Sequence, residues 1–226
     1  MNLGQQFDRF PSAPRYSGYW NDWDTDEEIN EYTWAALASG TQAVRDDTQH
    51  GVVRISGAAT TNNSGGEMYR DASNVALALG KRTKTIFRIK ASDATNSKIK
   101  LGVGTAGGGF MATDPANGFW FYKANGAALF DCYVQASSAP ILVAAGAFTL
   151  VDATYCDLAI ELAMDAATAN RGTVTFSKDG SSSSSAVATL SGLPTAILAC
   201  FFGFMSGNAS GTKYMDVDLN GVYQER

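Results

Sequence analysis

Between Gly118 and Val134 the chain reads GFWFYKANGAALFDCYV, two aromatic and apolar runs on either side of Asn125-Gly126. Asn-Gly accepts positive φ at both central positions of a type I′ turn, so the pattern predicts a two-residue β-hairpin. That loop sets Phe121 opposite Phe130 and Tyr122 opposite Leu129. One face then carries Phe119, Phe121, Phe130 and Cys132; the other carries Trp120, Tyr122, Leu129 and Asp131. Both faces are largely apolar or aromatic, so the hairpin is expected inside a sheet with something packed on each side.

Alternation continues elsewhere. Gly51 to Ser56, Lys84 to Lys90, Lys98 to Gly104, Gly172 to Lys178, Ile197 to Met205 and Lys213 to Tyr223 each predict a strand, with turn residues between them. Cys156 to Met164 sets two signals against each other. Its Leu, Ala, Glu and Met favour a helix, yet Cys156, Leu158, Ile160, Leu162 and Met164 alternate strictly with the residues between them. Period two over the whole run predicts a strand, and pattern outranks propensity. Around a dozen short strands with regularly spaced turns indicate a sandwich or jelly roll.

Residues 1–33 read differently, as an N-terminal extended arm ahead of a single domain over 34–226. The arm holds Phe7, Phe10, Tyr16, Tyr19 and Trp20 without a sustained period, and Pro11 and Pro14 interrupt it. Thr25 followed by Glu28 matches a capping box, which predicts one short helix through about Ser39. The arm's aromatics need a surface, either this chain's own sandwich or a neighbouring subunit.

Composition narrows the function. The 226 residues carry a net charge of −5, which disfavours nucleic acid as a partner. No apolar run is long enough to span a bilayer, and the first residues lack the apolar core of a secretory signal, so synthesis in a cytosol is expected. Cys132, Cys156 and Cys200 are odd in number and sit in apolar contexts, so they read as buried free thiols.

Candidate chemistry is sparse. Leu101 to Gly107 contains G-x-G-x-x-G after a strand, but the residues that follow, through Thr113-Asp114-Pro115, break the helix that a dinucleotide would need. His50 is the only histidine, no G-x-S-x-G elbow is present, and no metal-ligand spacing appears, so no cofactor and no metal is expected. Asp216 and Asp218, two apart on a strand, are the one carboxylate pair that could serve hydrolysis of a glycosidic bond. Trp120 and Tyr122 could stack on a sugar ring.

The closing stretch Met215-Asp-Val-Asp-Leu-Asn-Gly-Val-Tyr-Gln224 resembles the final strand of concanavalin A-like jelly rolls. Phe176-Ser-Lys-Asp-Gly180 followed by Ala188 to Pro194 resembles a strand-turn-strand of the same fold. His50 to Ser56, Gly102-Val-Gly104 and Asp114 to Tyr122 fall in matching order. Together these motifs, over about residues 34 to 226, resemble the β-sandwich domains of structural proteins of tailed bacteriophages. The fold also hosts family 16 glucanases, whose E-x-D-x-x-E run is absent here, so no enzymatic role is expected.

The resemblance implies an all-β concanavalin A-like jelly-roll β-sandwich in a virion. Its implied role is to decorate or cement the capsid, assembled in the host cytoplasm. The major capsid protein would be its partner, and the chain itself would form a homotrimer. Phe7, Phe10, Tyr16, Tyr19 and Trp20 would be the contact residues. The alternative is a carbohydrate-binding module of a phage fibre or spike, using Trp120 and Tyr122.

Overall fold

A computed structural model describes residues 16–21, 32–47, 50–70, 76–105, 108–136, 139–180, 185–194 and 196–225. Among them are fifteen strands. In chain order these are β1 (Tyr16–Asn21), β2 (Tyr32–Leu37), β3 (Thr41–Asp47), β4 (His50–Ser56), β5 (Gly65–Arg70), β6 (Arg82–Ala91), β7 (Ser97–Gly104) and β8 (Asn117–Lys123). They continue as β9 (Leu129–Ala136), β10 (Ile141–Thr149), β11 (Cys156–Met164), β12 (Gly172–Lys178), β13 (Ser185–Leu190), β14 (Ala199–Ser206) and β15 (Tyr214–Glu225).

The strands form two antiparallel sheets. The eight-stranded sheet runs β13-β12-β11-β6-β15-β4-β3, with β1 also on β15; the seven-stranded sheet runs β10-β9-β8-β7-β14-β5-β2. Cys156 to Met164 is strand β11, as its alternation requires. Its neighbours β6 and β12 supply the ladder that lets pattern override helix propensity.

The core lies between the sheets. Phe87, Ile89, Leu158, Ile160 and Phe176 face Leu101, Phe119, Phe121, Phe202 and Phe204. Phe121 meets Phe176 of the opposite sheet edge-on, with ring centroids 5.2 Å apart. Phe121 and Phe130 both belong to this inter-sheet core, as the alternation of the hairpin implies.

Two local expectations are corrected. The first is the helix through Ser39: over the described part of that stretch, Tyr32 to Leu37 is strand β2, paired with β5. Tyr32 and Trp34 pack on the inter-sheet core, two residues apart, and an edge ladder outweighs the local capping signal. The second is the hairpin register. Lys123 pairs with Phe130, and Phe121 pairs with Cys132, two residues displaced from the tight-turn register. Only Gly126 of the Asn-Gly pair takes positive φ, at 86°. The wider loop has a cause. The Lys123 ammonium is buried beneath it and donates to the carbonyls of Ser97, Ala124 (3.1 Å) and Ala127 (2.7 Å). Because the slip is two residues, every side chain keeps the face the sequence assigns it.

Part of the expected arm is a strand of the sandwich. β1 continues the line of β4 along one side of β15: Tyr16 to Asn21 pairs with Glu225 to Asn220, while β4 pairs with Tyr214 to Val217. The backbones of Tyr16, Tyr19 and Trp20 are thus tied to their own chain, at Glu225, Val222 and Gly221. Phe7 and Phe10 lie outside the described residues.

Candidate functional site

The outer face of the seven-stranded sheet is built from the alternate residues that point away from the core. The registers align Tyr69, Phe201, Gly102, Trp120, Tyr133 and Leu142 in one row across six strands, from β5 to β10. The next row is Glu67, Gly203, Lys100, Tyr122 and Asp131. An aromatic row beside a charged row is a surface with an apolar floor and hydrogen-bonding groups next to it.

The β7–β8 connection lies back over part of this face. Over the described residues of this connection, 105 and 108–116, the chain runs through turns, bends and irregular backbone, where the dinucleotide reading would have needed a helix. Phe110 and Met111 are buried against Trp120 and Phe201, forming a small second core outside the sheet. The Phe110 and Phe201 ring centroids are 4.6 Å apart. Gly203 leaves the room: a Cβ there would meet the Met111 Sδ at 2.7 Å and the Phe110 ring at 2.9 Å.

Side-chain charges clamp this strap, Gly108 to Asp114. Glu67, only 1% exposed, accepts from the backbone N–H groups of Gly109 and Met111 (3.0 Å). Lys100 donates to the Phe110 carbonyl and to Asp114, each at 2.6 Å. Lys98 donates to the Met111 carbonyl at 2.5 Å. Burial and the neighbouring Lys100 lower the Lys98 pKa from its ordinary value. Buried charges with satisfied partners of this kind hold a loop in one place.

The strap changes what the predicted glycan contacts can do. Trp120 is 1% exposed beneath it and offers no open ring face; its indole instead backs Tyr133, nearly parallel at 15° with centroids 5.8 Å apart. Tyr122 and Tyr133 are half-buried and meet edge-on at 6.3 Å. The ammonium groups of Lys98 and Lys100 lie 5.8 and 5.6 Å from the Tyr122 ring centroid. Burial raises both phenol pKa values, and Asp114 and Asp131 add to the rise, so both hydroxyls remain donors at neutral pH. Asp131 Oδ1 accepts from the Gly146 N–H at 2.7 Å, tying this surface to the bulged edge strand β10. Sequence alone left Tyr133 unmarked. With Tyr133 taken into the hairpin's outer face, alternation from Asp131 would have pointed to it.

The other carboxylate candidates lie on the outer face of the opposite sheet. Asp216 is bound by Arg54 Nε and Nη2 at 2.6 and 2.7 Å and by Lys90 at 3.2 Å, and its side chain is 2% exposed. The Arg54 guanidinium in turn lies over the Tyr214 ring at 3.6 Å. Asp218 sits where β15 bulges against β6 and pairs with Arg88 at 3.1 Å. The pair that could have served hydrolysis is therefore committed to ion pairs across three strands. Among the described residues no cluster of three His, Cys, Asp or Glu side chains could hold a metal ion. Cys132, Cys156 and Cys200 are buried thiols outside any disulfide.

No family model and no curated protein matches the chain. Solved structures do match. An endo-1,3-β-glucanase from Streptomyces sioyaensis aligns over 95% of this chain and 98% of its own, with a TM-score of 0.64 at 12% identity. The carbohydrate recognition domain of Emp46p, in its potassium-bound form, aligns over 90% and 98%, with a TM-score of 0.58 at 10% identity. The CBM2 module of an evolved Dit of Lactobacillus casei BL23 phage J-1 aligns over 92% and 96%, with a TM-score of 0.58 at 10% identity. Likeness at such identities is likeness of fold alone.

Proposed function

We propose that this chain, a β-sandwich of the concanavalin A-like lectin and glucanase fold, is a non-catalytic carbohydrate-binding module. Its site is the open part of the seven-stranded sheet's outer face, around Tyr122 and Tyr133. The carrying observation is the aromatic pair itself: two half-buried tyrosines, one backed by Trp120, with Asp131 beside them. A sugar ring has apolar C–H faces and a rim of hydroxyls. The tyrosine faces take the first, and the phenol hydroxyls and the Asp131 carboxylate take the second.

Binding, as opposed to hydrolysis, is favoured by the commitment of Asp216 and Asp218 to Arg54, Lys90 and Arg88. A phage setting draws support from the likeness to a phage module. Decoration of a capsid by a homotrimer rests on motif order alone and stands second. A site of this size binds single glycans weakly, and display in many copies would supply avidity.

A glycan array followed by titration of the best ligand tests the reading. Tyr133→Ala should weaken binding about tenfold, the equivalent of one good aromatic contact, with an unchanged circular dichroism spectrum. A blank array, or a Tyr133→Ala variant that binds as well as the parent, would refute it.

A further inference from the structure

We propose that the Gly108–Asp114 strap makes this site a receptor for the end or a short branch of a glycan, and closes it to the interior of a long linear polysaccharide. The inference rests on the carbohydrate reading and adds to it the length of ligand the site accepts.

The aromatic row runs from β5 to β10, the course a long chain would follow across the sheet. Phe110 and Met111 occupy its middle. They lie against Phe201 and Trp120 and over the space left by Gly203. On the β10 side of Trp120, Tyr122, Tyr133, Asp131 and Leu142 stay half-buried or exposed on β8, β9 and β10, while Tyr69, also half-buried, lies at the other end of the row, where the strap's Gly108 comes up to its ring. Three adjacent strands span two interstrand gaps, about 10 Å, room for roughly two or three sugar rings.

The strap is built to stay closed. It has no strand ladder of its own, and three side chains from two strands hold it at five points. Glu67 takes two N–H groups; Lys98 and Lys100 take two carbonyls and Asp114. Lifting it would leave Glu67 and Lys100, both buried, without these partners, and would uncover Phe110, Met111 and Trp120 together. A ligand that needed the whole row would have to displace all of this. A ligand that ends at Tyr133 displaces none of it.

The test is a length series of one oligosaccharide, from one to six sugars, titrated into the intact chain and into a Phe110→Ala/Met111→Ala variant. Hydrogen exchange of the Gly109 and Met111 amides is measured on the unliganded parent alongside. Parent affinity should rise to two or three sugars and then level off, while the variant should keep gaining with length. Both amides should be protected at least a hundredfold over an exposed loop. Parent affinity that climbs a further tenfold between three and six sugars overturns the proposal. So do strap amides that exchange as fast as exposed ones, whichever glycans bind. Protected amides with no binding at any length overturn the carbohydrate reading beneath it, and the two failures are thereby told apart.

Discussion

Lys123→Met separates the turn that the sequence favours from the turn that the fold selects. The native ammonium satisfies the carbonyls of Ser97, Ala124 and Ala127. Hydrogen bonds to a charged group contribute about 1.5–3 kcal/mol each when a partner is removed. Two of the three carbonyls belong to the half-buried Ala124 and Ala127 and can turn to water, whereas Ser97 is fully buried. Methionine keeps most of the buried chain length and removes the desolvation of a charge, which offsets part of the loss. The net destabilisation should be about 3 kcal/mol. At roughly 2.1 cal/mol/K of unfolding entropy per residue, a chain of this length has about 0.5 kcal/mol/K, so Tm should fall by about 6 °C.

The comparison belongs well below pH 8, because burial pulls the Lys123 pKa down to about 8 and the ammonium must be charged. Melting followed by calorimetry reads the loss. Cross-strand NOEs report whether Phe121 still faces Cys132 or has moved opposite Phe130. An unchanged or higher Tm would show that the ammonium does not hold the loop, and the account of the register would fail with it.

Two further predictions concern charges elsewhere. Burial pushes the Asp93 carboxyl up, but hydrogen bonds from Lys213 and Asn96 outweigh it and hold the pKa at about 2, below its ordinary 3.8. A depressed folded pKa is stability present above pH 3.8 and lost as the pH falls toward 2; it amounts to about 2 kcal/mol at 1.36 kcal/mol per unit. Urea titrations at the two ends of that window should therefore differ less in Asp93→Asn than in the parent, and an identical acid loss in both would count against the assignment. Asp216→Asn leaves Arg54 and Lys90 without their shared carboxylate and should lose roughly 3 kcal/mol, whereas Asp218→Asn, at a more open pair, should lose under about 1 kcal/mol. Equal losses on denaturant unfolding would contradict the difference in burial.

Much of the sandwich was legible from alternation. Cys156 to Met164 and Gly172 to Lys178 form strands with the bounds the pattern marks. The faces of the hairpin also survive, because face is a matter of parity and a two-residue slip preserves parity. Tyr32 to Leu37 was less legible: six residues hold too few periods to outvote a capping signal, and the partner that makes them a strand, β5, is about thirty residues or more away.

By itself, the sequence determined the all-β class, the sides on which Phe121 and Trp120 lie, and the need for a second layer over Trp120. Each follows from local period and from the water that apolar residues must avoid. Only the tertiary structure decided what that layer is. Nothing in Phe110-Met111 announces that it will lie on Trp120, and Glu67 meets the strap only because β5 and β7 flank β14. The same holds for Lys123, an ordinary charged residue in sequence. Its buried ammonium sets the hairpin's register because the carbonyls of Ala124 and Ala127 in its own loop and of Ser97 on β7 converge on it. Contacts between distant segments carry no local period, and they decide which aromatic rings are left for a ligand.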